Sequence, residues 1–177
     1  MSEELNLPFD PGFSIEPAYA LLVGETQIIY ARFELTVVDI IGFHKKGYRN
    51  GYYGKEMLMP GNLISDLKTI GKPEDSEAIS RILEGFKRAV ELRNALDHSV
   101  PCGGPDHYDV LHFQQGSEPR GCRKPKPLNP YHCTVFNYDR LLEEAKRMTL
   151  AYREASAFFY SLRDRTRAGE IFPGEPC

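Results

Sequence analysis

The last third of the chain contains an apolar pattern that is compatible with only one kind of local structure. Its members recur in alternating steps of four and three residues: Leu141, Ala145, Met148, Tyr152, Ala155, Phe159 and Leu162. This spacing places all of them on one side of an α-helix. Such a seam must be covered by other helices, so the pattern predicts antiparallel packing in a helical bundle.

Three further helices are predicted upstream. The first runs from about Pro17 to His44, and Pro17 suits a first helical position because its missing N–H would have no partner there. A short helix follows at about 61–70. The next helix, capped by Asp75 or Ser76, ends within ELRNALDHSV (91–100). The apolar positions of the first helix are Leu22, Ile29, Phe33, Val37 and Ile40, and those of the third form a stripe with Ile79, Ile82, Leu83, Phe86, Val90 and Arg93.

The segment between the last two long helices is rich in proline and glycine. It contains two β-like runs, YDVLHF (108–113) and YHCTVF (131–136), which we expect to pair as a small hairpin. The last helix begins after Asn137 as its N-cap. The sequence thus predicts a mainly α fold, an antiparallel helical bundle with a small β-hairpin insertion between the last two long helices. We expect an N-terminal arm at 1–16, a helical domain at 17–165 and a flexible C-terminal tail at 166–177.

Composition restricts the classes of function. The 177 residues have a formal net charge of −3, so any RNA site must be local. No apolar run is long enough for a membrane span, and the acidic N-terminus is unlike a signal peptide. The four irregularly spaced cysteines are then expected as reduced thiols. These features predict a cytoplasmic protein that does not bind a membrane.

The end of the third helix contains an unusual group of polar residues. Arg93 falls on the stripe where a bundle helix should have an apolar side chain, and a buried guanidinium needs a partner or a cleft. His98 follows at the negative end of the helix dipole, which favours its protonated form. An arginine that binds phosphate beside a histidine that exchanges protons near neutral pH can cleave RNA without a metal. Asn94 and Asp97 can support such a pair, although Asp97 could equally be a plain salt-bridge partner for Arg93.

The run R-N-A-L-D-H, residues 93–98, resembles the R-x4-H motif of HEPN domains. The order of the helices is also similar to that of HEPN proteins, with a long first helix, the motif at the end of a middle helix and a long final helix. The resemblance covers roughly residues 17–164. It implies a metal-independent endoribonuclease that works as a homodimer, in which two copies of the motif build one composite cleft.

By this resemblance Arg93 and His98 are the catalytic candidates, and Asn94 is the polar position after the arginine. The resemblance also implies an RNA substrate, a toxin–antitoxin or antiviral defence setting, and an antitoxin or other regulatory partner. This chain departs from some HEPN toxins because Ser99 and Val100, rather than a tyrosine two positions on, follow His98. Asp97 also adds negative charge beside the phosphate position. A non-catalytic HEPN-like binding or regulatory protein, with a structural Arg–His cluster, therefore remains the alternative.

Two loops are candidate RNA contacts, and one group of residues is a weaker candidate metal site. Arg120, Arg123, Lys124 and Lys126 form a basic, proline-rich stretch, and Tyr52 and Tyr53 could stack on bases. Both features are also common on ordinary solvated or protein-binding loops. No regular zinc spacing is present, so neither a metal nor a cofactor is predicted. A small zinc-stabilised module remains the third alternative, with ligands drawn from Cys102, His107, His112, Cys122, His132 and Cys133.

Overall fold

The computed structural model describes residues 17–48, 60–70, 73–97 and 137–168 with their side chains, and the backbone alone of 99–102, 109–114 and 132–136. Helix α1 spans Pro17–His44, α2 spans Pro60–Leu67, α3 spans Ser76–Asp97 and α4 spans Tyr138–Arg167. The prediction of a mainly helical chain is confirmed. The predicted N-terminal arm lies outside the described residues, and α4 continues two residues past the predicted end of the domain.

Local signals account for the helix boundaries. Helix α1 begins at the predicted Pro17 and ends at the predicted His44. The side chain of Asn137 accepts a hydrogen bond from the backbone N–H of Arg140 at 2.9 Å, so its predicted N-cap role is confirmed. At the start of α3, Asp75 lies in a 3-10 turn and its carboxylate instead accepts hydrogen bonds from Arg165 at 2.9 and 3.0 Å. This ion pair fastens the end of α4 to the start of α3.

The three long helices pack around one core. Phe33 of α1 contacts both Phe86 of α3 and Tyr152 of α4, with ring centroids 5.3 and 6.4 Å apart. The core residues that are wholly removed from solvent include Phe33, Val37, Val38, Ile40, Ile41, Leu63, Leu67, Ile82, Phe86, Leu141, Ala155 and Leu162. Most of the predicted apolar positions lie in this core. Ile29, Leu83, Val90, Tyr152 and Phe159 are only partly buried at its edge.

Contacts along the helices give their relative directions. Gln27 of α1 reaches Asp97 at the end of α3, whereas Phe33 meets Phe86 further back, so α1 and α3 are antiparallel. Helices α3 and α4 are antiparallel too, because Asp75 pairs with Arg165. Helices α1 and α4 are therefore parallel, which the prediction of antiparallel packing did not anticipate. Three helices in mutual contact cannot all be antiparallel to one another.

Between α3 and α4 the described backbone forms three short strands. Strand β1 spans Ser99–Cys102, β2 spans Asp109–Gln114 and β3 spans His132–Phe136, in the sheet order β1-β2-β3. Both neighbouring pairs are antiparallel. Strands β2 and β3 overlap the two β-like runs of the sequence, while β1 directly follows the segment of the motif and had no sequence signal of its own.

A polar contact attaches the short helix α2 to the end of α1. Asp66 accepts hydrogen bonds from Lys45 Nζ and from the Tyr48 hydroxyl, each at 2.6 Å. Burial raises the pKa of Asp66, but the hydrogen bonds from Lys45 and Tyr48 outweigh it and hold the pKa below its ordinary value of 3.8. A depressed carboxyl pKa stabilises the fold above pH 3.8, and this contribution is lost as the pH falls through the pKa of the folded protein.

The Asp66→Asn variant is expected to be less stable than the wild type by about 1 kcal/mol at neutral pH, since solvent screens this half-exposed contact. The difference should shrink as the pH is lowered from 3.8 through the pKa of the folded protein, because the wild-type carboxyl then becomes protonated as well. Urea unfolding over a series of acidic pH values and at neutral pH measures it. Asp164→Asn is the control, because Asp164 is exposed and its ion pair with Arg167 is long, at 3.9 Å, and therefore weak. A difference that persists undiminished in acid would contradict the assignment.

Candidate functional site

The predicted catalytic arginine lies on the last turn but one of α3, in an ion pair. Its Nε lies 2.6 Å from Asp97 Oδ2, an i,i+4 ion pair along the helix. The Arg93 side chain is 37% exposed and that of Asp97 31% exposed. The charge of the guanidinium is therefore balanced at a site that solvent reaches.

Two further contacts fix the position of the guanidinium. Nη1 donates to Asn94 Oδ1 at 3.1 Å, and the carbon at the centre of the guanidinium lies 5.8 Å from the centroid of the Tyr30 ring. Tyr30 is buried and stacks on Phe86, with ring centroids 6.3 Å apart. Arg93 is thus held against the aromatic core, and among the described residues none accepts a hydrogen bond from its Nη2.

Asp97 connects two helices as well as neutralising Arg93. Its Oδ1 accepts a hydrogen bond from Gln27 Nε2 of α1 at 2.9 Å, while Oδ2 binds Arg93. Both carboxylate oxygens are thus in use, and Asp97 is fixed in one orientation. The arrangement can hold an arginine steadily at a helix end, and it can equally serve to attach α1 to α3.

The prediction that Arg93 lies on the buried stripe of α3 is wrong. The stripe that starts at Ile79 and Ile82 continues through Phe86, Ala89, Leu92 and Ala95. Steps of three residues fall about 60° short of a full helical turn, so the buried face rotates around the helix and leaves Arg93 at its edge. An arginine at that edge is reached by solvent and needs no buried partner. The sequence had suggested a buried guanidinium, and the structure has none at this position.

Sequence reasoning missed Gln27 and Tyr30 as neighbours of the motif. Both lie on α1, more than sixty positions before the residues that they touch. Tyr30 occupies a helical position that a core aromatic would also occupy, and Gln27 resembles any half-exposed helix residue. No local spacing could have identified either contact.

The structure does not describe the side chains of the remaining candidates. His98, Tyr52, Tyr53 and the basic loop residues Arg120, Arg123, Lys124 and Lys126 lie outside the described residues. Of the zinc candidates, His107 and Cys122 also lie outside them, and the other four are described only as strand backbone. Among the described residues, no group of three or more His, Cys, Asp or Glu side chains could hold a metal ion.

A groove of about 260 Å³ lies between α3 and α4. Three arginines line it, and each is paired with a glutamate: Arg81 with Glu154, Arg88 with Glu84 and Arg147 with Glu144. The hydrogen bond to Glu154 raises the pKa of the Arg81 guanidinium further. Because these charges balance, the groove has no excess of positive charge to attract a phosphate.

In comparisons with known proteins, no family model, no curated protein and no solved structure matches this chain. Within the described segments, none of the helices combines the length and apolar character needed to cross a membrane.

Proposed function

We propose that this chain is a metal-independent endoribonuclease of HEPN type, a cytoplasmic homodimer that cuts RNA in a composite Arg/His cleft. The proposal includes the HEPN-like identity of the helical bundle and of its β insertion. It also includes a toxin–antitoxin or antiviral defence setting, with an antitoxin or another regulatory partner. The basic loop with Arg120, Arg123, Lys124 and Lys126, together with Tyr52 and Tyr53, would then contact the RNA.

One observation favours this proposal. Arg93 is held at the end of α3 by Asp97, Asn94 and the Tyr30 ring, while more than a third of its side chain stays exposed. His98 follows the last residue of that helix directly. A positioned, accessible guanidinium, with a histidine five positions later in the sequence, supplies the two groups that metal-free RNA cleavage requires.

The chemistry follows from the two side chains. His98 as a base accepts the proton of the ribose 2′-OH, and the 2′ oxygen then attacks the adjacent phosphorus. A 2′,3′-cyclic phosphate forms as the bond to the 5′ oxygen breaks, and the protonated His98 of the second copy gives a proton to that leaving oxygen. Arg93 binds the phosphate oxygens and stabilises the charge that develops on them.

The test is cleavage of labelled RNA in EDTA. We expect Arg93→Ala and His98→Ala each to slow cleavage by about 100-fold or more, because positioned acid–base groups contribute roughly that much. Arg88→Ala is the matched control, since Arg88 is an exposed arginine on the same helix with a glutamate partner. Cleavage that survives either motif substitution, or a wild type inactive on every RNA tested, would contradict the proposal.

The second candidate is a non-catalytic HEPN-like binding or regulatory protein, in which the cluster is structural. The bridge from Gln27 through Asp97 to Arg93 favours it, because this bridge joins α1 to α3 and uses both carboxylate oxygens. Thermal unfolding of the same variants separates the two candidates. A structural cluster lowers the melting temperature of Arg93→Ala while RNA stays intact in the wild type.

A further inference from the structure

The outer face of α1 has an apolar stripe that the rest of the described chain does not cover. Leu21, Ile28 and Leu35 follow one another at intervals of seven, and their exposures are 64%, 57% and 40%. Gly24 and Ala31 lie between them and are exposed as well. The five positions alternate in steps of three and four, which is the a/d spacing of a helix that packs on another helix. We call these five residues the α1 stripe.

The opposite face of α1 already packs in the core, through Leu22, Phe33 and Val37 among others. A helix that is apolar on both faces is typical of one that is covered on both faces. The α1 stripe extends over about 21 Å at 1.5 Å per residue, and a continuous apolar row of that length on a surface marks a contact site.

The charges beside the stripe indicate what covers it. Glu25 and Arg32 flank it on the side towards α4, both exposed, and neither forms an ion pair within the described residues. If two copies of α1 pack antiparallel, this flank of one helix lies beside the same flank of the other helix. Glu25 then lies near the partner's Arg32, and Arg32 near the partner's Glu25. The surface is complementary to itself.

The side-chain sizes favour the same register. With Glu25 near the partner's Arg32, Ile28 lies opposite the partner's Ala31 and Leu35 lies opposite the partner's Gly24. A large side chain thus meets a small one in these layers, and among the described residues no atom lies within 4 Å of a Cβ added at Gly24, so the space there is open. A parallel pair would instead place Glu34 beside the partner's Asp39, two like charges.

We propose that the α1 stripe binds the α1 stripe of a second copy of this chain in antiparallel orientation, with the Glu25–Arg32 contacts formed twice. The contact is small, so the dissociation constant should be on the order of micromolar. This assembly is independent of whether the protein cleaves RNA.

The proposed dimer also brings the two motifs to one side. Gln27 lies on the other flank of α1, towards α3, and binds Asp97, the partner of Arg93. In an antiparallel pair the Gln27 flanks of the two α1 helices lie along the same edge of the interface. Both Arg93–Asp97 clusters therefore face that edge, where one long ligand can contact the two of them.

Sedimentation velocity of the purified full chain over a range of concentrations tests the interface. Ile28→Glu should weaken the dimer roughly 30-fold or more, because it places a charge at the centre of the contact. Tyr160→Glu is the control, since Tyr160 is an equally exposed apolar residue of α4, with 59% exposure. Circular dichroism checks that both variants are folded. A monomeric wild type, or a dimer that Ile28→Glu leaves intact, would overturn the proposal.

The charge pairs give a second, independent test of the orientation. Glu25→Arg alone and Arg32→Glu alone should each weaken the dimer, because each places like charges together. The double variant with both substitutions should restore the wild-type dissociation constant. If the double variant is weaker than either single variant, the antiparallel register is wrong. Sedimentation velocity measures the association of the chains and not their activity. An absence of RNA cleavage would therefore not affect this result.

Discussion

Replacing Phe86 with alanine is expected to lower the free energy of unfolding by about 4 kcal/mol, one of the two largest effects that we expect from a single substitution. Phe86 is fully buried on α3. Its ring stacks on Tyr30 at 6.3 Å and meets the edge of Phe33 at 5.3 Å. Removing it takes away apolar burial and leaves a cavity that two rigid rings of α1 cannot fill. Urea unfolding followed by circular dichroism measures the loss.

Two companion variants make the Phe86 experiment specific. Phe86→Leu keeps most of the volume and should lose only about 1 kcal/mol, which guards against a Phe86→Ala protein that does not fold at all. Leu150→Ala removes a side chain that is 64% exposed and should change the stability by less than about 0.5 kcal/mol. If Leu150→Ala costs as much as Phe86→Ala, the core has been assigned to the wrong side of the bundle.

The position of Phe86 also bears on the motif. Arg93 lies over the Tyr30 ring, and Tyr30 is supported by Phe86. Packing at the centre of the bundle therefore positions the guanidinium at the helix end. A functional role for Arg93 requires an intact core as well as the motif residues themselves.

The parts of this fold that sequence could predict are those determined by nearby residues. Proline chemistry places the start of α1, and the side chain of Asn137 caps the first turn of α4. Helical periodicity found three of the six buried positions of α3, Ile79, Ile82 and Phe86, because packing on one face repeats every turn. It failed after Phe86, where the buried positions continue through Ala89, Leu92 and Ala95 in steps of three and the buried face rotates away from Arg93.

The parts that sequence could not predict depend on contacts between distant segments. The partners Gln27 and Tyr30 could be assigned to the motif only after α1 and α3 had been packed together. The second apolar face of α1 was hidden for a different reason. Its apolar residues are spread around the helix, so the stripe of Leu22, Phe33 and Val37 obscured that of Leu21, Ile28 and Leu35.

The close packing at Gly85 is another feature that the sequence could not predict. A glycine in the middle of a helix indicates only a weaker helix when the sequence alone is considered. In the structure α3 and α4 approach each other closely there. A Cβ placed on Gly85 would lie 2.6 Å from the Cβ of Ala151, closer than two carbon atoms can pack. The ring of Phe33 also lies 3.8 Å from that Cβ, at ordinary van der Waals contact.

Gly85→Val is therefore expected to lower the free energy of unfolding by about 3 kcal/mol, although valine favours a helix more than glycine does. Thermal or urea unfolding measures it. Gly24→Val is the matched control, also a mid-helix glycine but with open space around it, and in dilute protein it should be neutral or slightly stabilising. Adding Ala151→Gly to Gly85→Val should recover part of the loss, because it removes the atom that the new side chain strikes. Equal effects at Gly85 and Gly24, or no recovery, would show that helix propensity rather than close contact determines the stability here.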